Sequence, residues 1–207
     1  MLYITREGHV DAERIKVEIF PRIERGNMAA VNGIVVHQTG GDKASSTFNS
    51  YLDKEKTPNG AHFLIDKDGA IYQTASLYRT TNHVGLLQSR CMIEKKCTPV
   101  ELKHAQNLLA TKPFSAGARA LSKSEEKKQW PNRYPSNADS IGIECVGESP
   151  GEPNKEVFVP LTNAQQDSLK WLIKELSETL NISMQEIYRH PEIGRKNETE
   201  ASTAKWR

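Results

Sequence analysis

Cysteine is scarce in this chain of 207 residues, and long apolar runs are missing from it. The three cysteines, Cys91, Cys97 and Cys145, are odd in number and form no Cys-x-x-Cys pattern. This usage argues against a disulfide framework and against a thiolate zinc site. Cys91 and Cys97 lie close enough in sequence to pair, but free thiols are the first expectation.

Other absences narrow the class of protein further. No apolar run approaches the ~20 residues of a membrane span, and the N-terminus lacks the apolar core of a secretory signal. The formal charge of only +2 gives no sign of a dedicated nucleic-acid surface. A His-Glu-x-x-His helix is also missing, which argues against that class of zinc peptidase. We therefore expect a globular protein made in the cytoplasm without a classical signal, with no membrane span and no nucleic-acid partner.

The apolar run at residues 34–36 predicts a short buried strand, bounded by Gly33 and by a glycine pair at 40–41. Polar residues do not alternate within it, which is typical of a strand covered on both faces. His37 follows directly, so its imidazole stands at the rigid end of a core strand. That position suits a metal ligand, although a lone histidine of this kind is more often structural.

Strands and helices interleave along the rest of the chain, which indicates an α/β fold with a central mixed sheet flanked by helices. The predicted elements are a helix over 44–52, a hairpin over 61–73 around an Asp-Gly turn, a helix over 98–109, a strand over 140–147 and a capped helix over 162–180. Residues 1–30 are interpreted as an N-terminal extension with a short helix over 11–20. Residues 31–207 form the single domain, with an insertion at about 86–135 that is long enough for a lid or binding loop.

Three segments of the chain carry ionisable residues that could belong to one site. His37 ends the first buried strand, Glu144 is the charged residue of the second, and His190 precedes the acidic pair Glu198 and Glu200. Two imidazoles and one carboxylate are a usual protein set for a catalytic zinc. Each residue has an ordinary alternative, such as a half-exposed strand position or a turn. The metal hypothesis therefore depends on the conjunction.

Six segments, in this order, resemble the zinc-dependent N-acetylmuramoyl-L-alanine amidase family, which includes the peptidoglycan recognition proteins. The matching segments are 34–39, 61–69, 82–85, 140–144, 161–165 and 190–196. Each is weakly specific alone, but the ordered set spans about residues 31–202. The resemblance implies a central mixed sheet flanked by helices, with one Zn²⁺ per chain in a surface groove.

The resemblance also implies the metal ligands. His37 and His190 match the two histidine ligands of the family. The third ligand is usually Asp or Cys, often two residues after a lysine, and here that position is Glu198. We prefer Glu200, because it leads into an Ala-Ser-Thr stretch that we expect to pack back on the domain, and keep Glu198 as the alternative.

The remaining roles follow from the same resemblance. Glu144 matches the acidic residue that acts on the zinc-bound water, and Lys196 matches the lysine that polarises the scissile carbonyl. His83 lies at a position that lines the substrate groove, and His62 is expected to be structural or to face the substrate. Many members carry a tyrosine where this chain has Ala61, so oxyanion stabilisation shifts onto Lys196 or a group from the insertion.

The function implied is hydrolysis of the amide between the lactyl group of N-acetylmuramic acid and L-alanine of the stem peptide. The alternative is a peptidoglycan-binding module that does no chemistry. A muropeptide-recycling enzyme, a phage lysin and an antibacterial effector all fit the missing signal. We favour the lysin and the effector, both of which act on the cell wall in the periplasm. For the effector, this would be the periplasm of a target cell. An effector would also need secretion machinery and an immunity protein.

Overall fold

A six-stranded mixed sheet forms the centre of the protein, in a computed structural model that describes residues 1–152 and 155–207. The strands are β1 (Tyr3–Ile4), β2 (Val10–Asp11), β3 (Ile15–Val17), β4 (Glu24–Asn27), β5 (Gly33–Gly40), β6 (Phe63–Ile65), β7 (Ile71–Gln73), β8 (Arg79–Thr81), β9 (Ser140–Glu148) and β10 (Ile187–Arg189). The helices are α1 (Ala44–Leu52), α2 (Arg90–Ile93), α3 (Pro99–Leu109), α4 (Phe114–Glu126), α5 (Asn163–Leu180) and α6 (His190–Ile193), with a 3₁₀ turn at Met184–Glu186.

The sheet has the strand order β10-β5-β9-β6-β7-β3. Among the described strands of this sheet, only the β6–β7 pair is antiparallel, and it is the predicted hairpin. The other pairs are parallel. The predicted α/β class with a central mixed sheet is thus confirmed.

The two faces of β5 meet different surroundings because side chains alternate along a strand. Ile34 and Val36 belong to the main core with α5, whereas Val35 packs with Val84 and Ile193 on the other face. His37 shares the parity of Val35 and so points away from α5. In the parallel pairing of β5 with β9, His37 is the register partner of Glu144, which places both side chains on the same face.

Helix α5 closes the opposite face of the sheet. Its N-terminus is the predicted capping box, in which Thr162 and Gln165 each bond the other's backbone N–H. Leu169, Leu172 and Ile173 are fully buried against the sheet. The helix ends at Asn181, whose φ of 54° is left-handed. This cover leaves the face of His37 and Glu144 as the one that can open to a cleft.

The N-terminal segment differs from its prediction. The helix expected over 11–20 is wrong, because these residues form part of β2 and all of β3. Strand β3 pairs in parallel with β7, and its Ile15 is buried in the main core. Edge pairing and burial of that one side chain outweigh the weak helical pattern. Residues 1–30 thus contribute a strand to the sheet, while the domain boundary at residue 31 stays a prediction.

The insertion is mostly helical, with α3 and α4 packed together. The predicted helix over 98–109 is confirmed, with Thr98 and Glu101 as a capping box. The expectation of free thiols at Cys91 and Cys97 is wrong, because the two form a disulfide with their Cα atoms 4.6 Å apart. A left-handed residue between them, Lys95 with φ of 56°, turns the chain back after α2. Cys145 is free and buried.

Among the described residues, no helix combines the length and apolar character needed to cross a membrane.

Candidate metal centre and active-site cleft

A cleft of about 750 Å³ opens on the sheet face opposite α5. Its floor contains the end of β5 and the middle of β9, and loops after β8 and α6 form part of its wall. Predicted site residues that line it are His37, His83, Glu144, His190, Lys196 and Glu200. Four loops and strands distant in sequence thus bring these side chains into one concavity.

Three of these residues form a group that fits a metal ion. His37 Nδ1 lies 2.8 Å from His190 Nδ1, His190 Nδ1 lies 3.0 Å from Glu200 Oε1, and His37 Nδ1 lies 3.5 Å from the same oxygen. Two ligands each ~2.1 Å from a tetrahedral zinc would be ~3.4 Å apart. The three atoms are therefore spaced much as zinc ligands are, and the three residues are buried. Two nitrogens and a carboxylate also match the donor chemistry of zinc.

The turn that follows α6 explains why Glu200 and not Glu198 reaches this group. Asn197 accepts hydrogen bonds from the backbone and hydroxyl of Thr199, and its own carbonyl accepts the Glu200 N–H at 3.0 Å. Glu198 is exposed on this turn, whereas Glu200 is buried. Ala201, fully buried, then packs into the main core, as the sequence predicted for the stretch after Glu200.

The electrostatics of the group favour an ionised Glu200 and a neutral His37. Burial alone would raise the pKa of Glu200, but the close approach of the His190 and His37 rings outweighs it and lowers that pKa to about 2. Burial and the neighbouring His190 lower the pKa of His37 to about 4. A carboxylate with neutral imidazoles is the protonation state in which these groups bind a metal.

Glu144 lies in the same cleft with a contrasting environment. Its Oε2 atom is buried and has no hydrogen-bond partner among the described residues. Burial and the charge of Glu200, opposed by Lys196, raise the pKa of Glu144 to about 8. Two carboxylates in one site whose pKa values are pushed apart indicate different roles, one as a fixed anion and one as a proton acceptor and donor near neutral pH.

Lys196 contributes a cation at the rim. The residue is exposed, but its side chain lines the cleft with Gly85. A lysine at this place can hold negative charge that develops on a substrate oxygen.

His83 and His62 occupy different positions, although both were predicted to bind substrate. His83 is half-buried and lines the cleft, with Nδ1 3.0 Å from His37 Nε2. Burial, with the neighbouring rings of His37 and His62, lowers the pKa of His83 well below its ordinary value. The imidazole is therefore neutral.

The position of His62 does not allow the predicted contact with substrate. It is fully buried and lies outside the cleft lining. Its Nδ1 accepts the Gly142 N–H at 3.1 Å, and its Nε2 donates to the Arg79 carbonyl at 2.9 Å. Both ring nitrogens are used by the backbone, so His62 ties β6 to its neighbours and has no group left for a ligand.

Several cleft residues escaped the sequence reasoning. Tyr51 of α1 is buried in the cleft wall, with its hydroxyl 3.5 Å from the Ala61 N–H. This places a phenol from α1 beside Ala61, the position at which the resemblance implied a tyrosine. Asn137 holds the loop after β8 by accepting the N–H groups of His83 and Val84 at 2.9 and 2.8 Å. The helical spacing of α1 signalled Tyr51, but no local pattern signalled Asn137.

Comparison with known proteins identifies the family and the fold. A family profile described as N-acetylmuramoyl-L-alanine amidase matches residues 27–202. No curated protein matches the chain in sequence. Among solved structures, a selenomethionine AmpD derivative is 17% identical, with a TM-score of 0.59 and coverage of 99% of this chain and 96% of that one.

Two further structures show the same fold at low identity. PlyL is 14% identical, with a TM-score of 0.52 and coverage of 88% of this chain and 84% of that one. AmpDh3 from Pseudomonas aeruginosa, solved in complex with an anhydromuramic pentapeptide, is 17% identical, with a TM-score of 0.52. This chain is covered to 96% in that comparison, and AmpDh3 to 61%.

At these identities the structural likeness establishes the fold, and the family profile, which covers most of the sequence, establishes the membership. The chain belongs to the N-acetylmuramoyl-L-alanine amidase family.

Proposed function

We propose that this protein is a zinc-dependent peptidoglycan amidase that cleaves the bond between the lactyl group of N-acetylmuramic acid and L-alanine. The observation that carries the proposal is one cleft that holds both a buried His37–His190–Glu200 group and the unpaired Glu144 oxygen. A peptidoglycan-binding module has no need for a buried carboxylate oxygen without a partner, and such an atom costs ~1–3 kcal/mol of stability.

The metal would be held by His37 Nδ1, His190 Nδ1 and Glu200 Oε1. A bound zinc supplies Lewis acidity, which polarises a carbonyl and makes water a better nucleophile near neutral pH. The donor set, its burial and its spacing fit this ion, as described above.

The protein's own residues then move the protons. Glu144 Oε2 takes the proton of the water that attacks the lactyl carbonyl, and it later gives that proton to the nitrogen of the departing L-alanine. A pKa near neutrality suits both halves of this exchange. Lys196 Nζ faces the oxygen on which negative charge develops. The neutral polar wall from α1, which includes Ser46, Thr47 and Ser50, offers hydroxyls to an amide-rich substrate.

The test is digestion of purified peptidoglycan with mass analysis of the products, before chelation, after chelation and after zinc is restored. We expect free stem peptides that begin at L-alanine, lost on chelation and regained with zinc. Muropeptide binding with no cleavage at any zinc concentration would instead identify a recognition module. Cleavage that survives complete chelation would contradict the zinc dependence.

We also propose that the enzyme acts on the cell wall outside the cytoplasm, as an antibacterial effector or a lysin. The Cys91–Cys97 disulfide supports this, because disulfides persist mainly in oxidising compartments. Expression of the chain in a bacterium with and without an added export signal tests it. Lysis only on export agrees with the proposal, whereas harmless export would favour muropeptide recycling. An immunity protein and secretion machinery are the partners that an effector would require.

A further inference from the structure

The ring of His83 is fixed between the metal-ligand group and the backbone of β9. Its Nδ1 lies 3.0 Å from His37 Nε2, and its Nε2 lies 3.3 Å from the Ser140 carbonyl and 3.2 Å from the Ser140 hydroxyl. A Cβ on Gly142 would come within 2.9 Å of the His83 ring, so the ring lies directly on the glycine backbone. The ring therefore has little freedom to turn.

The hydroxyl of Ser140 determines which nitrogen of His83 carries the proton. Ser140 Oγ donates its single proton to the Ser136 carbonyl at 2.6 Å. The hydroxyl and carbonyl oxygens of Ser140 can then only accept, so the proton of neutral His83 is on Nε2. His83 Nδ1 is consequently an acceptor, and it accepts from His37 Nε2.

The same logic fixes the ligand atom of His37. With its proton on Nε2, His37 keeps a lone pair on Nδ1, the atom that faces His190 and Glu200. His190 is fixed in the same way, because its Nε2 donates to the Val84 carbonyl at 2.7 Å and leaves Nδ1 free. Consecutive residues 83 and 84 thus orient both histidines, and Asn137 holds their backbone N–H groups.

We propose that His83 is a positioning residue of the metal centre and not a substrate-binding residue, because it accepts the His37 Nε2–H and so holds His37 Nδ1 toward the ligand group. The inference rests on the zinc site of the proposed function. It replaces the substrate-binding role that the sequence predicted for His83, although the ring does line the cleft. Partners of this kind to a ligating histidine typically contribute 10–100-fold to metal affinity.

The experiment measures zinc affinity without substrate, by competition with a chromogenic chelator. In H83A we expect zinc to bind about 10–100-fold more weakly. In H83N the amide oxygen replaces the Nδ1 acceptor, so we expect affinity within about threefold of the wild type. H104A is the matched control, because His104 is an exposed histidine on α3 outside the cleft, and its affinity should not change.

The absorption spectrum of the cobalt-substituted protein gives a second readout, since a ligand that has lost its orientation changes the bands. Imidazole nitrogen NMR of the wild type gives a third that needs no variant, and it should show protons on Nε2 of His37 and His83. If H83A binds zinc like the wild type but loses muropeptide affinity, His83 is a substrate residue and the proposal is wrong. A proton on His83 Nδ1 would also contradict it. A wild-type protein that binds no zinc would instead contradict the proposed function, and with it this role.

Discussion

The cleft floor and the buried polar scaffold beside it differ in how their polar atoms are paired. In the floor, His37, His190 and Glu200 converge on one another, and an oxygen of Glu144 has no partner among the described residues. In the scaffold, Arg90 bonds both oxygens of Glu186, at 3.1 and 2.8 Å, and His62 uses both nitrogens on backbone groups. Burial alone therefore does not locate function here. What distinguishes the floor is that the ligand-type atoms and the unpaired Glu144 oxygen lie together in one cleft.

The sharpest test of this difference is Glu144→Gln. The amide keeps the size of the side chain but cannot take the proton of an attacking water. We expect peptidoglycan hydrolysis to fall by about 10²–10⁴-fold, the usual contribution of a general base. Zinc affinity and the melting temperature should stay close to the wild type, because Glu144 is not among the three ligands.

Steady-state hydrolysis, zinc titration and thermal melting of the same preparation decide this prediction. Full activity in Glu144→Gln would remove Glu144 from the chemistry and place it with the scaffold.

Lys196→Met should give the second largest effect. Methionine keeps the apolar stem but removes the charge that faces the developing oxyanion. We expect kcat to fall by about 10²–10³-fold with a smaller change in KM, as for the loss of one oxyanion donor. Lys205→Met is the matched control, since Lys205 is an exposed lysine outside the cleft lining. Equal kinetics for the two variants would show that Lys196 is an ordinary surface lysine.

A substitution in the scaffold should lower stability and leave activity almost unchanged. Glu186→Gln removes the charge that pairs with Arg90, whose guanidinium is mostly buried, although Glu94 still contacts it at 2.8 Å. We expect a loss of about 1–3 kcal/mol in the free energy of unfolding, the cost of a buried partner left incompletely bonded. Activity per folded molecule should change less than about twofold, because Glu186 lies outside the cleft lining.

Denaturant unfolding with activity measured on the same samples separates the two effects. A large fall in kcat without a fall in stability would mean that the scaffold takes part in catalysis.

The sequence allowed much of the floor to be predicted because its signals are local. An uninterrupted apolar run before His37, a single charge within the strand of Glu144 and the Thr162–Gln165 capping box each describe their own element. The order of the segments then supplied the family. Parallel register, which no short segment encodes, was needed to show that His37 and Glu144 are neighbours.

The scaffold was harder to predict because its contacts join distant residues. His62 and His83 each precede an apolar residue in sequence. Nevertheless, the ring of His62 accepts the Gly142 N–H, whereas the ring of His83 lines the cleft. Helix α4 was missed because its segment is rich in charge, and the burial of Ala118 and Leu121 depends on tertiary packing that includes α3. The Cys91–Cys97 pair depended on a left-handed turn at Lys95 that its sequence does not announce.

The smallest expected effect concerns His62 and the pH dependence of stability. Burial lowers the pKa of His62 to about 4, from an ordinary value of 6.5 in the unfolded chain. Between these values the unfolded state binds more protons than the folded state, so a fall in pH favours unfolding. The contribution of neutral His62 to stability is therefore complete above pH 6.5 and is lost as the pH falls toward 4. From pH 7.5 to 5.5 the loss is on the order of 1 kcal/mol.

His62→Gln keeps a donor and an acceptor but does not titrate, so its unfolding free energy should fall less over the same pH range. Protonation of the metal-ligand histidines is common to both proteins and cancels in the difference. Equal pH slopes would mean that His62 titrates normally in the folded protein. Its ring would then have to leave the Gly142 and Arg79 backbone groups at low cost, and the contrast between a floor with unpaired polar atoms and a fully paired scaffold would fail at this residue.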